Sequence, residues 1–194
     1  MVQADDRPNL DLAHLACGSI RAACALPIHV QLRVPASAGL LDRFAEAGAD
    51  LLILHPERGQ DTLGLLARVR AAGCRAGVGF APGDALDLLP AWLAWLDVVH
   101  VSCALPGSAA RPFVAAGLEL IAQARTMVDA AGGAVRVQAD GDIGPANIAA
   151  VAAAGADDVV VGRALFSSSN GSWAGTVDHL RQALASAHAA RVPA

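Results

Sequence analysis

Val135-Arg-Val-Gln-Ala-Asp140-Gly141-Asp-Ile-Gly-Pro145 combines a β-strand pattern with a turn that holds a carboxylate and glycines. After one predicted helix the pattern returns in Gly155-Ala-Asp-Asp-Val-Val-Val-Gly162-Arg163. Runs of this apolar character are typical of strands that a parallel sheet buries on both faces. In parallel α/β folds the chemistry lies at the carboxyl ends of the strands, where this chain places Asp140 and the Gly162-Arg163 pair.

The same alternation of strand and helix extends along the chain. Helical stretches rich in Ala, Leu, Arg and Glu separate six predicted strands: Ile28–Val34, Asp50–His55, Arg75–Phe80, Asp97–Ser102, Val135–Asp140 and Asp157–Gly162. Helix ends are predicted at Ala47-Gly48, Ala72-Gly73 and Ala154-Gly155, and the last helix at Ala174–Ala190. This repeat predicts one parallel sheet, either closed as a barrel or open and doubly wound, in a single domain spanning residues 1–194.

The composition narrows the class of ligand. The 194 residues are 55% hydrophobic, carry a formal net charge of −4 and have a pI near 5.8. No stretch clusters Lys and Arg, so a nucleic-acid partner is not expected and a small soluble ligand is the default. Apolar runs are too short for a membrane helix, and no secretion signal is recognised. Cys17, Cys24, Cys74 and Cys103 lack Cys-x-x-Cys spacing, which is typical of reduced thiols in a cytoplasmic protein.

Short segments along the chain are similar to one family in their order and spacing. They are Pro8–Leu12, Ile28–Val34, Phe44–Asp50, Ala76–Gly79, Leu96–Val99, Pro106-Gly107, Asp140-Gly141, Gly155–Asp157 and Ala164–Phe166. In this order the chain resembles the ribulose-phosphate 3-epimerases. The resemblance implies an eight-stranded (β/α) barrel of the TIM type, a ribulose-phosphate-binding barrel. It also implies an isomerase of carbohydrate metabolism that moves a proton beside the ketone of a pentulose phosphate, with a divalent metal such as zinc, iron or manganese.

Asp140 is the candidate catalytic residue. Proton removal beside a carbonyl leaves an enediolate, so such a site needs a cation near the oxygen and carboxylates that exchange protons. By the resemblance, Asp140 is the carboxylate that acts as acid or base and also binds the metal. Gln138 lies in phase with it at the strand end. The alternative is that Asp140 only caps the turn at Gly141 and Asp142, as Asp does in many loops.

The chain departs from the family at the expected metal site. The third strand of the family carries a metal-binding histidine where this chain has Gln31, and His29, in phase with it, is expected to be packed and hydrogen-bonded. The second strand supplies His-x-Asp, but the chain start offers only Asp5 and Asp6 as nearby carboxylates. Zinc sites are built from imidazole, thiolate and carboxylate, so a glutamine predicts weak or absent metal.

The resemblance begins at the second strand of the family, which predicts a barrel that is incomplete at its N-terminus. Omitting one strand would leave unpaired N–H and C=O groups at the exposed edges. Three explanations stay open: the chain starts at an internal methionine of a longer protein, the barrel is open or seven-stranded, or a partner subunit covers the gap. The unpaired edge makes a homo-oligomer plausible.

Glycine-rich turns after the sixth, seventh and eighth strands hold the substrate phosphate in the family. By the resemblance, these turns contain Gly107, Gly141 and Gly162. Asp142 repels a phosphate, whereas Arg163 and Arg111 attract one through paired hydrogen bonds. The alternative is that both arginines face solvent or pair with Asp142.

Two further residues are expected to bind the substrate. Arg33 stands where the family has a methionine, and His55 matches a histidine position of the family before Pro56 and is expected to face the barrel mouth. His100 lies in mid-strand among valines, where packing is the expected role.

Two classes of function compete. The first is an epimerase of a pentulose phosphate or related sugar phosphate, with Asp140 as acid or base, and this class is preferred. The second is a diverged, catalytically silent barrel that binds a small anion or a protein partner. A sugar-phosphate decarboxylase or synthase is a third possibility, but Leu32–Ser37 lacks the Asp-x-Lys-x-x-Asp pattern of those relatives.

Overall fold

The computed structural model describes residues 2–4, 7–104, 112–166 and 173–191. Within these ranges the strands are β1 (Val2–Ala4), β2 (His29–Leu32), β3 (Leu51–Leu54), β4 (Arg75–Phe80), β5 (Val98–Ser102), β6 (Arg136–Asp140) and β7 (Asp158–Val159). The helices are α1 (Arg7–Ala23), α2 (Ala38–Glu46), α3 (Thr62–Ala71), α4 (Leu89–Trp92), α5 (Ala116–Ala130), α6 (Ile148–Ala154), α7 (Arg163–Phe166) and α8 (Trp173–Arg191). The predicted alternation of strand and helix is confirmed.

The six predicted strands are confirmed at their centres, and β1 lies at the chain start, where the resemblance placed the second strand of the family. Three residues are too few to show a period, so β1 could not be recognised from its pattern. The last strand was predicted to run to Gly162 but ends at Val159. Its backbone nevertheless stays beside β6, because the Val160 amide donates to the carbonyl of Ala139 at 2.8 Å.

The helix ends also follow the prediction. Gly48, Gly73 and Gly155 have φ values of 93°, 82° and 121°, a conformation that glycine adopts readily and that stops a helix. Trp92 ends α4 and is buried, whereas Trp95 lies in the following 3-10 turn with 41% of its surface exposed.

The described residues fall into two compact units, and the prediction of a single domain stays a prediction. The first unit comprises Met1–Gly79 and Ala91–Val99, and the second Phe80–Pro90 and His100–Ala194. None of the described helices is both long enough and apolar enough to cross a bilayer.

In the first unit, β1 to β4 are parallel neighbours in chain order. The register pairs Gln31 with Ile53, and Ile53 with Gly77. Paired residues of parallel strands point to the same face, so these three positions lie level with one another. The segment that leads into β5 continues the ladder, because the Asp97 amide donates to the carbonyl of Ala76 at 2.8 Å.

The core of the first unit lies on this face. Leu51, Ile53 and Val98 form a buried cluster. A Cβ on Gly77 would lie 3.1 Å from both Cγ1 of Ile53 and the carbonyl oxygen of Val98, so the glycine allows these strands to pack closely.

In the second unit, β6 and β7 are parallel, with Gln138 level with Asp158 and Ala139 level with Val159. The Cys103 amide, directly after β5, donates to the carbonyl of Asp140 at 2.5 Å. Helix α6 packs against α5 and α8. The buried side chains that fill this core are Ile121, Ala124, Val128, Val137, Ala139, Ile148, Val151 and Leu180.

The recurring Ala-Gly-Ala-Asp sequence builds the same tether in each unit. Oδ2 of Asp50 accepts the Ile28 amide at 2.6 Å and pairs with Arg21 of α1. Oδ2 of Asp157 accepts the Val137 amide at 2.8 Å and pairs with Arg125 of α5 at 3.0 Å. Asp50, just before β3, thus joins the start of β2 to helix α1. Asp157, just before β7, joins the start of β6 to helix α5 in the same way.

The glycine of each motif makes room for the arginine. A Cβ on Gly48 would lie 2.7 Å from Cγ of Arg21, and one on Gly155 would lie 2.6 Å from Cγ of Arg125. The positive φ and the close arginine therefore both require glycine at these two junctions.

Candidate active site

Asp140 lies at the carboxyl end of β6 with 16% of its side chain exposed. Its Oδ1 accepts the amide N–H of Gly141 at 2.7 Å, and its Oδ2 lies 3.9 Å from Nε2 of His100. Gly141 has a φ of 105°, and a Cβ there would lie 2.7 Å from the Ala104 amide nitrogen. The turn therefore contacts the carboxylate, as the capping alternative expected, while Oδ2 still faces an imidazole.

His100 and Gln138 form a buried polar pair beside Asp140. Nδ1 of His100 lies 3.0 Å from Oε1 of Gln138, and both side chains are almost completely buried. His100 is packed, as expected, but its contacts with a glutamine and a carboxylate were not foreseen. The available signal was one polar side chain in the middle of each of two largely apolar strands, His100 in β5 and Gln138 in β6.

Cys103 and Ser102 end the neighbouring strand β5. Burial, and after it the negative charge of Asp140, raise the pKa of the Cys103 thiol to about 12. At neutral pH the sulfur is therefore a thiol, which is a poor nucleophile. The Ser102 hydroxyl donates to the carbonyl of Ala104 at 3.2 Å, so it supports the backbone after the strand.

Gln31 and His55 meet in the first unit. Nε2 of Gln31 lies 2.7 Å from Nε2 of His55, and Gln31 is fully buried. A Cβ on Gly79 would lie 2.6 Å from Cε1 and Nε2 of His55, so only glycine on β4 accommodates the imidazole ring there. Arg33 follows β2 in phase with Gln31 and is half-buried, and no described carboxylate forms a salt bridge with it.

Among the predicted phosphate ligands, Arg163 is paired with Asp142. The two side chains are 3.3 Å apart, which is the arrangement that the alternative expected. Asp142 has a φ of 51°, a left-handed conformation that is uncommon for a residue other than glycine. Arg163 and Asp142 line an open cavity of about 440 Å³ with residues 143–147 and Ala164. Gly107 and Arg111 lie outside the described residues.

The divalent metal that the resemblance implies stays an expectation. Among the described residues, no group of three or more His, Cys, Asp or Glu side chains comes together to hold an ion. Near Asp140 the imidazole of His100 is one further donor, whereas zinc takes four ligands. Gln31, which the resemblance places at a metal-binding histidine, directs its amide nitrogen to His55. Asp5 and Asp6 lie outside the described residues.

Parallel strands joined by helices, with Asp140 at the end of β6 beside His100 of β5, define a (β/α)-barrel protein with a candidate acid–base site. The family model of the ribulose-phosphate 3-epimerase family matches residues 4–166. The chain belongs to this family.

Two curated relatives carry the same family name. Ribulose-phosphate 3-epimerase 1 of Cupriavidus necator is 35% identical over 182 residues, which cover 91% of this chain and 76% of the relative. The ribulose-phosphate 3-epimerase of Escherichia coli K12 is 31% identical over 179 residues, which cover 92% of this chain and 79% of the relative.

A solved structure supports the fold class. The 3-hexulose-6-phosphate synthase of Salmonella typhimurium matches with a TM-score of 0.66 and 20% identity, over 91% of this chain and 82% of that protein. The predicted (β/α) barrel class is confirmed, and the strands of the described residues are consistent with the incomplete barrel that was expected.

Proposed function

We propose that the protein is an epimerase of a pentulose phosphate, which acts by proton abstraction at the carbon beside the ketone. The family match over residues 4–166 carries this proposal, since it includes the strand end that holds Asp140. The named relatives do not favour the alternative of a catalytically silent barrel.

In this proposal Asp140 removes and returns the proton on one face of the substrate carbon, and inversion also requires a second acid that delivers a proton to the opposite face. Its carboxylate is only partly exposed and is held by the Gly141 amide, so one oxygen is oriented while the other is available for proton transfer. Proton transfer to or from a positioned carboxylate accelerates such reactions by roughly 10²–10⁴-fold.

Arg33 and His55 both lie in the first unit. Arg33 is a cation without a described carboxylate partner, and His55 is an imidazole oriented by Gln31 and Gly79. We assign both residues to substrate binding. The guanidinium of arginine stays charged at neutral pH, so it suits an anionic oxygen.

The phosphate is assigned to the turns that contain Gly107, Gly141 and Gly162, together with Arg163. Arg163 holds Asp142 in the structure, and a phosphate would compete for the same guanidinium. Because Asp142 is an internal anion at this cavity, we expect phosphate to bind more weakly than it would without this carboxylate.

The remaining proposals concern the setting of the protein. All four cysteines lie in the described residues and are free thiols, which supports a cytoplasmic location. We further propose that nucleic acid is not a partner and that the protein forms a homo-oligomer.

Solvent isotope exchange tests the function. Ribulose 5-phosphate is incubated with the protein in D₂O, with and without added zinc, iron or manganese, and deuterium beside the ketone is measured by NMR or mass spectrometry. We expect incorporation with the wild type and none with Asp140→Asn. Asp129→Asn is the matched control, because Asp129 lies exposed near the end of α5 and pairs with Arg125. No exchange by the wild type under any metal condition would refute the function.

A further inference from the structure

The His100–Gln138 pair needs an explanation beyond packing. Both side chains are buried on strands whose neighbouring residues, such as Val101, Val137 and Ala139, are apolar. Burying polar groups costs free energy that a hydrogen bond only offsets, and apolar side chains would fill the same space without that cost.

The contact with Gln138 determines which nitrogen of His100 carries the hydrogen. Nδ1 lies 3.0 Å from Oε1 of Gln138, and an amide oxygen only accepts hydrogen bonds. Nδ1 is therefore the donor, and Nε2 of the neutral imidazole is an acceptor. This acceptor is the nitrogen that lies 3.9 Å from Oδ2 of Asp140.

The carboxylate of Asp140 has a different neighbour on each oxygen. Oδ1 accepts the Gly141 amide at 2.7 Å, and an oxygen that accepts a strong hydrogen bond is the poorer site for a proton. A proton taken from the substrate is therefore expected on Oδ2. A small rotation of the carboxyl group would then bring its O–H within hydrogen-bond distance of Nε2 of His100.

We propose that His100 is a positioning residue for the proton transfer, an inference that rests on the proposed function. When Asp140 has taken the proton from the substrate carbon, its O–H donates to Nε2 of His100. Gln138 holds the imidazole in the tautomer that accepts this bond. The proton rests on Oδ2, hydrogen-bonded to Nε2, and from there it exchanges with solvent or returns to carbon.

Two variants separate this role from simple packing. His100→Leu removes both nitrogens, whereas His100→Asn keeps a donor toward Gln138 but has no atom that reaches Asp140. In deuterium exchange with ribulose 5-phosphate, both variants are expected to lose kcat by about 10- to 100-fold with little change in KM, the range typical of groups that orient a functional side chain. If His100→Asn restores the wild-type kcat, the role is structural and the inference is wrong. Thermal unfolding of each variant shows whether it is folded.

NMR of the imidazole keeps the inference testable if the wild type is inactive. ¹⁵N shifts of His100 in the wild type are expected to show the neutral tautomer with hydrogen on Nδ1. The Nε2 signal is expected to move in Asp140→Asn, with Asp129→Asn as the control that leaves it in place. Hydrogen on Nε2, or an Nε2 signal that does not move in Asp140→Asn, would overturn the inference. An inactive wild type with the expected shifts would refute only the proposed function.

Discussion

Asp157→Ala removes the contact that ties helix α5 to the start of β6. Oδ2 of Asp157 accepts the Val137 amide at 2.8 Å and lies 3.0 Å from Nη1 of Arg125. Alanine removes both bonds and leaves the Val137 amide without its acceptor, while Arg125 keeps its contact with Asp129.

The structure sets the expected size of the loss. A buried amide left unsatisfied costs about 1–3 kcal/mol, and a partly exposed ion pair contributes up to about 1 kcal/mol. Because 26% of the Asp157 side chain is exposed, water replaces part of both interactions. We expect Asp157→Ala to lower the free energy of unfolding by about 2–3 kcal/mol. Asp157→Asn keeps an acceptor for Val137 and should lose only about 1 kcal/mol.

Urea unfolding followed by circular dichroism measures these free energies. Asp178→Ala on α8 is the control, because its side chain is 67% exposed and its pair with Arg181 spans 3.7 Å. This control should stay within about 0.5 kcal/mol of the wild type. If Asp157→Ala did so too, or if the Asn variant lost as much as the Ala variant, the proposed energetic role of the tether would be wrong.

Two further predictions concern His55 and Cys103. Gly79→Ala would place a Cβ 2.6 Å from the His55 ring and displace the ring from Gln31, so we expect kcat/KM for ribulose 5-phosphate to fall on the order of 100-fold. Gly39→Ala is the control, because a Cβ there meets nothing within 4 Å. Equal kinetics of the two variants would contradict the assignment of His55 to substrate binding. The Cys103 pKa is raised from 9.0 to about 12, so the unfolded state loses this proton first and the free energy of unfolding should fall as pH rises from 9 towards 12. Urea unfolding at about pH 8 and about pH 10 checks this, since Cys103→Ala should reduce the slope and a slope equal to the wild type's would refute the cause.

The backbone could be predicted because its signals are local. Apolar runs, glycine junctions and the repeated Ala-Gly-Ala-Asp sequence identify strands and helix ends without knowledge of distant contacts. The position of Asp140 at a strand end follows from the same pattern. β1 could not be recognised from its pattern, because three residues are too few to show an alternation of apolar and polar side chains. β7 is shorter than its apolar run, because a strand ends where its backbone pairing with the neighbouring strand ends.

The side-chain partners could not be predicted in this way. The contact of His100 with Gln138 depends on how β5 and β6 are aligned with each other. The sequence of each strand alone does not determine this register. The contact of Gln31 with His55 similarly depends on glycine at position 79, because a Cβ there would lie 2.6 Å from the imidazole ring. Arg163 could have bound Asp142 or faced solvent, and both choices agree with the local sequence.

The aspartate tethers lie at the amino ends of the strands, and Asp97 forms a third one by accepting the Ala76 amide at 2.9 Å and pairing with Arg70 at 3.4 Å. Gln31, Arg33 and Asp140 lie towards the opposite, carboxyl ends. Anchorage and chemistry thus draw on separate residues, so one set can diverge while the other is kept. Substitutions at Gln31 or Arg33 would therefore leave the three aspartate tethers in place.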